Sequence, residues 1–463
     1  MLLRIPGRKQ KRGKSSALRF FPLLAATYFM VSGGPYDIED IIGFGGYGRA
    51  LILLLVLPIF WSFPTALMLG ELASSVPAEG GFYAWVRRAL GPFWGFQEAW
   101  LSLAASVFDM AIYPTTFVLY LGHLAPNLTA GHRGLFLELA VVAAAVFWNL
   151  RGAVSVGEGS VRLWIISISP YFVLVGLAIA AGFLDSGGPF GGHASLAHPE
   201  GATFSTAILV AMWNYMGWDN ATTIANEVEN PQRNYPRMIL VAVIMIMLTY
   251  AIPVSAAAWA GIPASQFSTG AWVDVARTLG GPLLATAVVI AGVIDDFGTF
   301  SNLTMSYTRL PHALADDGFL PSVFKKRLRN GSPWVAIIVC GLCWALALGF
   351  SFERLITIDL VLWGLSVVLE FLALIVLRRR EPDLPRPFRV PGPDWFAVLL
   401  GLSPTALIVY ALYASRSETV AGISAFSFSL LVASLGLPLY ALAAWSRRRS
   451  RAVQSECTQS ENR

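Results

Sequence analysis

The stretch Tyr28–Tyr36, YFMVSGGPY, interrupts an apolar run over 20–46 and decides how this sequence is read. Gly33 and Gly34 favour open backbone, and Pro35 lacks the N–H that a helix bond requires. A helix is expected to unwind here, midway along a segment long enough to cross a bilayer core of roughly 30 Å. Unwound backbone at that depth persists only where it is buried in protein or lines a cavity. A second interruption falls at Trp213–Asn220, WNYMGWDN, inside the run 203–226. Breaks at corresponding positions of two halves point to a binding site near the membrane midplane.

Outward from these breaks, apolar runs of roughly 20 residues number about twelve. They cover 20–46, 50–72, 96–121, 134–150, 163–184, 203–226, 237–260, 282–308, 334–350, 354–377, 395–414 and 421–445. They are too long for strands and lack alternation, so an all-α polytopic membrane protein is expected. Composition agrees. The chain is 56% hydrophobic and 13% charged, against about 25% charged in soluble domains. Of 33 Lys and Arg, only Arg49, Arg133, Arg277, Arg354 and Arg416 fall on one side of this threading, and the other 28 on the opposite side. By the positive-inside rule the richer side is cytoplasmic, with both termini, 1–19 and 446–463, among it. The basic residues Arg4 to Arg19 imitate a signal peptide, but the run that follows is too long, and an uncleaved helix is expected. The net charge of +5 is then an inner-face signal rather than a nucleic-acid one. Phe82, Tyr83, Trp85 and Trp94 beside Arg87 and Arg88 read as an amphipathic cytoplasmic piece at the membrane interface.

No Walker-type loop or dinucleotide fingerprint occurs, so neither a cofactor nor ATP-driven transport within this chain is expected. No metal site is expected either, because Cys340-x-x-Cys343 lies inside an apolar run and reads as helix packing.

Acidic residues inside the runs carry the functional signal. Asp109 lies in the third run, Asp219 just past the second break, and Asp295 and Asp296 in the middle of the eighth, with no Lys or Arg at that depth. A carboxylate in hydrocarbon is costly and marks a solute or ion path by default. Asp109 and Asp219 are candidates to hold an ammonium group; Asp295, Asp296 and Asp109 are candidates for the coupling ion. Trp213, Tyr215 and Trp218 read either as a cation–π lid over the solute or as helix packing. Glu138, Asp359 and Glu370 are weaker candidates that also fit helix contacts.

At these residues the chain resembles the amino acid–polyamine–organocation superfamily. Ser32-Gly33-Gly34-Pro35 resembles its first-helix break, and Glu71-Leu72-Ala73 through Val76-Pro77-Ala78-Glu79-Gly80-Gly81 its second-helix signature. Trp213 to Trp218 followed by Glu227 to Pro231 and Pro236 is similar to its sixth-helix block. Likeness to the polyamine-uptake branch rests on Glu39-Asp40, Asp109 with Tyr113-Pro114, Pro170, Leu369-Glu370-Phe371 and Arg386 to Pro391. The resemblance implies a leucine-transporter-type fold with two inverted five-helix repeats, 20–184 and 203–377, and two further helices over 395–445. It also implies a substrate site between helices one, three, six and eight, served by alternating access. Backbone amides of Ser32, Gly33 and Gly34 would then hold a substrate carboxylate, if one is present. Some amino-acid members carry a lysine on helix five in place of a sodium ion. This chain has only Arg162 near there, which leaves the coupling ion open.

The expected function is secondary active import of a polyamine or an amino acid across the plasma membrane, by proton symport. Its partners are the solute, the coupling ion and membrane lipid. A neutral or cationic amino acid permease or exchanger is the alternative. A passive channel and a membrane-embedded hydrolase using Asp295 and Asp296 rank behind both.

Overall fold

A computed structural model describes residues 17–184, 204–348, 352–414, 419–420 and 423–447. Most of the basic N-terminal stretch, residues 185–203, and the end of the C-terminal tail lie outside the described residues.

The described residues are mostly helical. The first half contains α1 (Phe20–Val31), α2 (Glu39–Phe60), α3 (Ser62–Ser75), α4 (Phe82–Leu90), α5 (Pro92–Gly122), the single turn α6 (Pro126–Thr129), α7 (His132–Asn149) and α8 (Ala153–Leu184). The second contains α9 (Phe204–Trp213), α10 (Pro231–Trp259), α11 (Trp272–Tyr307), α12 (Arg309–Asp316), α13 (Trp334–Ala345), α14 (Phe352–Arg380) and α15 (Asp394–Ala414). It ends with α16 (Ala425–Ser434), whose helical course runs on to Arg447. Among the described residues, eight helical segments are long and apolar enough to cross a bilayer. Three shorter apolar helices, α1, α9 and α13, accompany them. Large side chains such as Phe172, Leu283 and Leu342 stand exposed on the outer surface. A soluble monomer would not tolerate that much apolar surface, whereas a bilayer covers it.

The expected interruption of the first helix is present. α1 ends at Val31, and 32–38 is non-helical, with Gly34 at φ 91° and Asp37 at φ 61°. A non-glycine residue in the left-handed region is uncommon. α2 restarts the helix and turns again at Gly46, φ 71°. The second interruption follows α9, where Gly217 at φ 85° opens a turn into two short 3₁₀ segments, Asn220–Thr223 and Ala225–Glu227. The two breaks touch. A Cβ added to Gly217 would lie 2.6 Å from the Met30 carbonyl oxygen, so only glycine permits this approach. Around them α1 packs on α8, α10 and α11, while α5 packs on α11 and α14.

Ion pairs tie together the end of the molecule where basic residues concentrate. Arg378 forks onto Glu71, which also accepts from the Val390 amide (2.7 Å) and pairs with Arg386 (3.2 Å). Arg309 forks onto Glu227 at 2.8 and 3.1 Å, and Arg327 pairs with Glu79 at 2.5 Å. Glu71, Glu79 and Glu227 are three of the acids in the two signature blocks, and here they anchor neighbouring segments. One reading changes with the structure. The aromatics of this piece do not all lie at a membrane interface: Phe82, Tyr83 and Trp85 are buried where α4 packs on α5 and α14, and only Trp94, at the start of α5, is exposed.

Candidate functional site

Both helix breaks open onto a cavity deep in the molecule. The first break contributes Gly33, Tyr36 and Asp37, and the second Asn214, Gly217 and Asn220. α5 adds Asp109 and Tyr113; α11 adds Asp295, Asp296, Thr299 and Tyr307; Trp213 and Trp363 complete much of the wall. No Lys or Arg lines it.

Four carboxyls therefore share one lined space without a basic partner. Asp109 accepts hydrogen bonds from Tyr113 Oη (2.8 Å) and Tyr307 Oη (3.1 Å), a pair of donors reaching it from α5 and α11. Asp296 Oδ1 accepts from Thr116 Oγ1 at 2.6 Å, while its Oδ2 has no protein partner. Asp295 Oδ1 and Asp37 Oδ1 are likewise buried without a partner. Buried polar atoms are normally hydrogen-bonded, so three orphaned carboxylate oxygens around one cavity call for a donor supplied by something else. The geometry suits a cationic or strongly donating guest.

Several expected roles take a different form in the structure. Of the amides assigned to a substrate carboxylate, that of Ser32 already donates to the Tyr28 carbonyl at 2.7 Å, continuing the last turn of α1. That of Gly34 donates to Ser32 Oγ at 3.2 Å. Neither Ser32 nor Gly34 lines the cavity, and the carboxylate of Asp295 lies against both glycines. A pocket of free amides for an anion is therefore absent from these two residues. Tyr215 and Trp218 are fully buried away from the cavity. Tyr215 Oη donates to the Leu54 carbonyl (2.7 Å), which ties the second break to α2, and Trp218 Nε1 donates to the Tyr215 carbonyl (2.8 Å) within the break itself. Asp219 stands behind Trp363, whose Nε1 donates to its Oδ1 at 3.0 Å. Trp213 does line the cavity, stacked at 6.3 Å on Tyr113, and Asp109, Asp295, Asp296 and Gly33 line it too.

Asp37, Asn220, Tyr307 and Trp363 were not singled out by sequence. Asp37 carried one usable signal, its place two residues after Pro35 in the same break. Asn220 carried another, as the last residue of the second interruption. It accepts from Ser306 Oγ at 2.8 Å. Just past the first break, Glu39 and Asp40 at the start of α2 tie it to neighbouring elements. Glu39 accepts from Tyr120 Oη (2.6 Å) and the Gly270 amide (3.2 Å), and Asp40 from the Thr269 amide (3.1 Å) and hydroxyl (2.8 Å).

Sequence comparisons agree with this architecture. The model of the family described as "Amino acid permease" matches residues 24–437. The chain is 33% identical to the polyamine transporter PUT1 of Oryza sativa subsp. japonica over 89% of its own length and 76% of the relative's. It is 31% identical to the polyamine transporter RMV1 of Arabidopsis thaliana over 84% and 78% respectively. With the serine/threonine exchanger SteT of Bacillus subtilis the identity is 23%, over 86% and 90%. The chain belongs to the amino acid permease family, and is a multi-pass membrane transporter rather than an enzyme.

Proposed function

We propose that the protein imports a polyamine, or a related dibasic cation, by proton-coupled symport through the cavity between the two helix breaks. The observation that carries this reading is the set of four carboxyls, Asp37, Asp109, Asp295 and Asp296, lining a space without Lys or Arg. A zwitterion needs one balancing negative charge, whereas a diamine or triamine rewards several spaced ones. Orphaned oxygens on Asp37, Asp295 and Asp296 supply acceptors for ammonium groups. Tyr113 and Trp213 present aromatic faces to the cation's methylene chain and charge. A membrane voltage, negative inside, favours such entry by roughly 2.3 kcal/mol per charge per 100 mV. Asp109, Asp295 and Asp296 are the candidates to carry the coupling proton, and one of them protonated while the others hold the substrate ammonium groups would link the two fluxes in the same direction.

The accompanying architecture is alternating access in a plasma-membrane protein of about twelve spans. Inverted five-helix repeats occupy 20–184 and 203–377, two further helices 395–445, and both termini are cytoplasmic. The names of the two polyamine-transporter relatives support the substrate class. An amino acid permease or exchanger is the second reading, favoured by the family description and by the serine/threonine exchanger. Competition in reconstituted vesicles separates them. Putrescine and spermidine should suppress labelled uptake while leucine does not; full competition by leucine with none by spermidine would remove the polyamine reading and leave a carrier.

A further inference from the structure

A second polar seam starts at the site above and runs away from it along the contact between α5 and α14. On α5, Glu98, Ser102, Ser106 and Asp109 recur at helical spacing, and on α14 Asp359, Trp363, Ser366 and Glu370 do the same. Ser366 joins the two rows: its hydroxyl donates to Glu98 Oε1 and lies 3.1 Å from Ser102 Oγ. Glu370 is one turn further along α14, on the same face as Ser366. Glu98 and Glu370 are completely buried. Both oxygens of Glu370 and Oε2 of Glu98 lack any protein partner. Glu98 precedes Asp109 by about 16 Å of helix rise, so the seam leads from the cavity toward the Glu71–Arg378 end of the molecule.

Two acids in so dry a contact cannot both be ionised at tolerable cost without a cation between them. None is available. The titratable group that acts on both is Asp219, and Asp359 and Asp109 lie further along the seam; all three are acids. The charged groups of the elements packed on α14 are already paired: Glu71 on α3 with Arg378, Arg87 and Arg88 on α4 with Asp317 and Glu381, and Asp394 on α15 with Arg378 and Arg389. A packing role would be met more cheaply by glutamine or leucine. The guest that fits two buried carboxyls on packed helices, one accepting from Ser366 and the other without a partner, is a proton, which a serine can both accept and donate.

We propose that Glu98 and Glu370 share one proton and form the station through which the coupling proton leaves toward the basic end of the molecule. Ser366 and Ser102 are positioning residues that hold the two helices in register for it. This rests on the proton-coupled carrier reading, and it adds residues outside the substrate cavity. No bond in the solute changes; a proton arrives from the cavity side and is released to water on the other.

The test uses the full chain in proteoliposomes with labelled putrescine and an internal pH dye. Two quantities are read: exchange of putrescine at equal pH, which reports the carrier alone, and accumulation driven by an inward proton gradient. For Glu370→Gln and Glu98→Gln, exchange should persist while gradient-driven accumulation and putrescine-induced acidification fall at least tenfold. Glu370→Asp, which keeps a carboxyl, should recover both. Full gradient response in both glutamine variants overturns the proposal. So does equal loss of exchange and accumulation in Glu370→Gln without recovery in Glu370→Asp, which assigns a structural role. Wild-type accumulation that ignores the proton gradient while exchange proceeds overturns it as well and leaves the carrier standing.

Discussion

The carboxylate of Asp295 occupies the place where a side chain on Gly33 would begin: a Cβ built there would lie 2.4 Å from Asp295 Oδ2. The first helix break therefore presents a protein carboxylate, rather than bare amides, to the cavity, which suits a cation and repels an anion. Asp295 also stands 3.1 Å from a Cβ built on Gly34. The two glycines thus serve partly as room for Asp295. Gly33→Ala is expected to fold, because the obstructing atom is the end of a side chain that can swing away. Swinging it displaces a cavity carboxyl, so half-saturation for putrescine should rise at least tenfold, about 1.4 kcal/mol. Gly34→Ala differs, since its φ of 91° costs an L-residue about 1–2 kcal/mol in the backbone. That variant should lose thermal stability as well. Unchanged putrescine affinity in a well-expressed Gly33→Ala would detach Asp295 from substrate binding.

Asp109 is held by two tyrosine hydroxyls from different helices, and Asp109→Asn keeps its shape while removing its charge. One hydroxyl can still donate to the amide oxygen, so the variant should express and retain its monodisperse profile in detergent. Transport should fall tenfold or more, again about 1.4 kcal/mol. Wild-type uptake rates in this variant would show that the carboxylate is only a helix contact.

The parts of the fold legible in sequence were those written in residues that the bilayer punishes. Gly33, Gly34 and Pro35 break a helix wherever they stand, and Asp109, Asp295 and Asp296 are conspicuous in apolar runs because charge there is expensive. Asp37 was hidden by its neighbours: beside Glu39 and Asp40 it reads as one more loop acid, and only its left-handed backbone and position in the break bring it to the cavity. Trp363 was invisible, as an aromatic residue on an apolar helix. Tyr215 and Trp218 show the reverse, since side chains suited to a cation–π lid are equally suited to burial in the protein away from the cavity. The expected amides of Ser32 and Gly34 were lost to purely local bonds, one to a helix carbonyl and one to the Ser32 hydroxyl, which spacing does not reveal.

Orientation is tested by impermeant maleimide on intact cells, using single-cysteine variants of an otherwise cysteine-free chain. Asn127, Lys326 and Asp383 are all exposed. With cytoplasmic termini, Asn127→Cys should label from outside, whereas Lys326→Cys and Asp383→Cys should label only after permeabilisation. The opposite pattern would invert the topology and, with it, the assignment of import.

Glu71 and Arg378 provide the last prediction, which concerns stability. Both are almost completely buried, at 1% and 6% exposure. Glu71 further holds the Val390 amide and Arg386, so it pins the segment after α14 to α3. Leaving one partner of a buried pair uncompensated costs roughly 3–5 kcal/mol, whereas replacing both by apolar groups is often neutral. Arg378→Leu should therefore lower the melting temperature in detergent sharply, and Glu71→Leu should do so too, by stranding two arginines. The double variant Glu71→Leu with Arg378→Leu should recover part of the loss, although Arg386 and the Val390 amide still lose their acceptor. A double variant no better than the worse single one would show that the value of Glu71 lies in those two contacts, and that the fork to Arg378 contributes little.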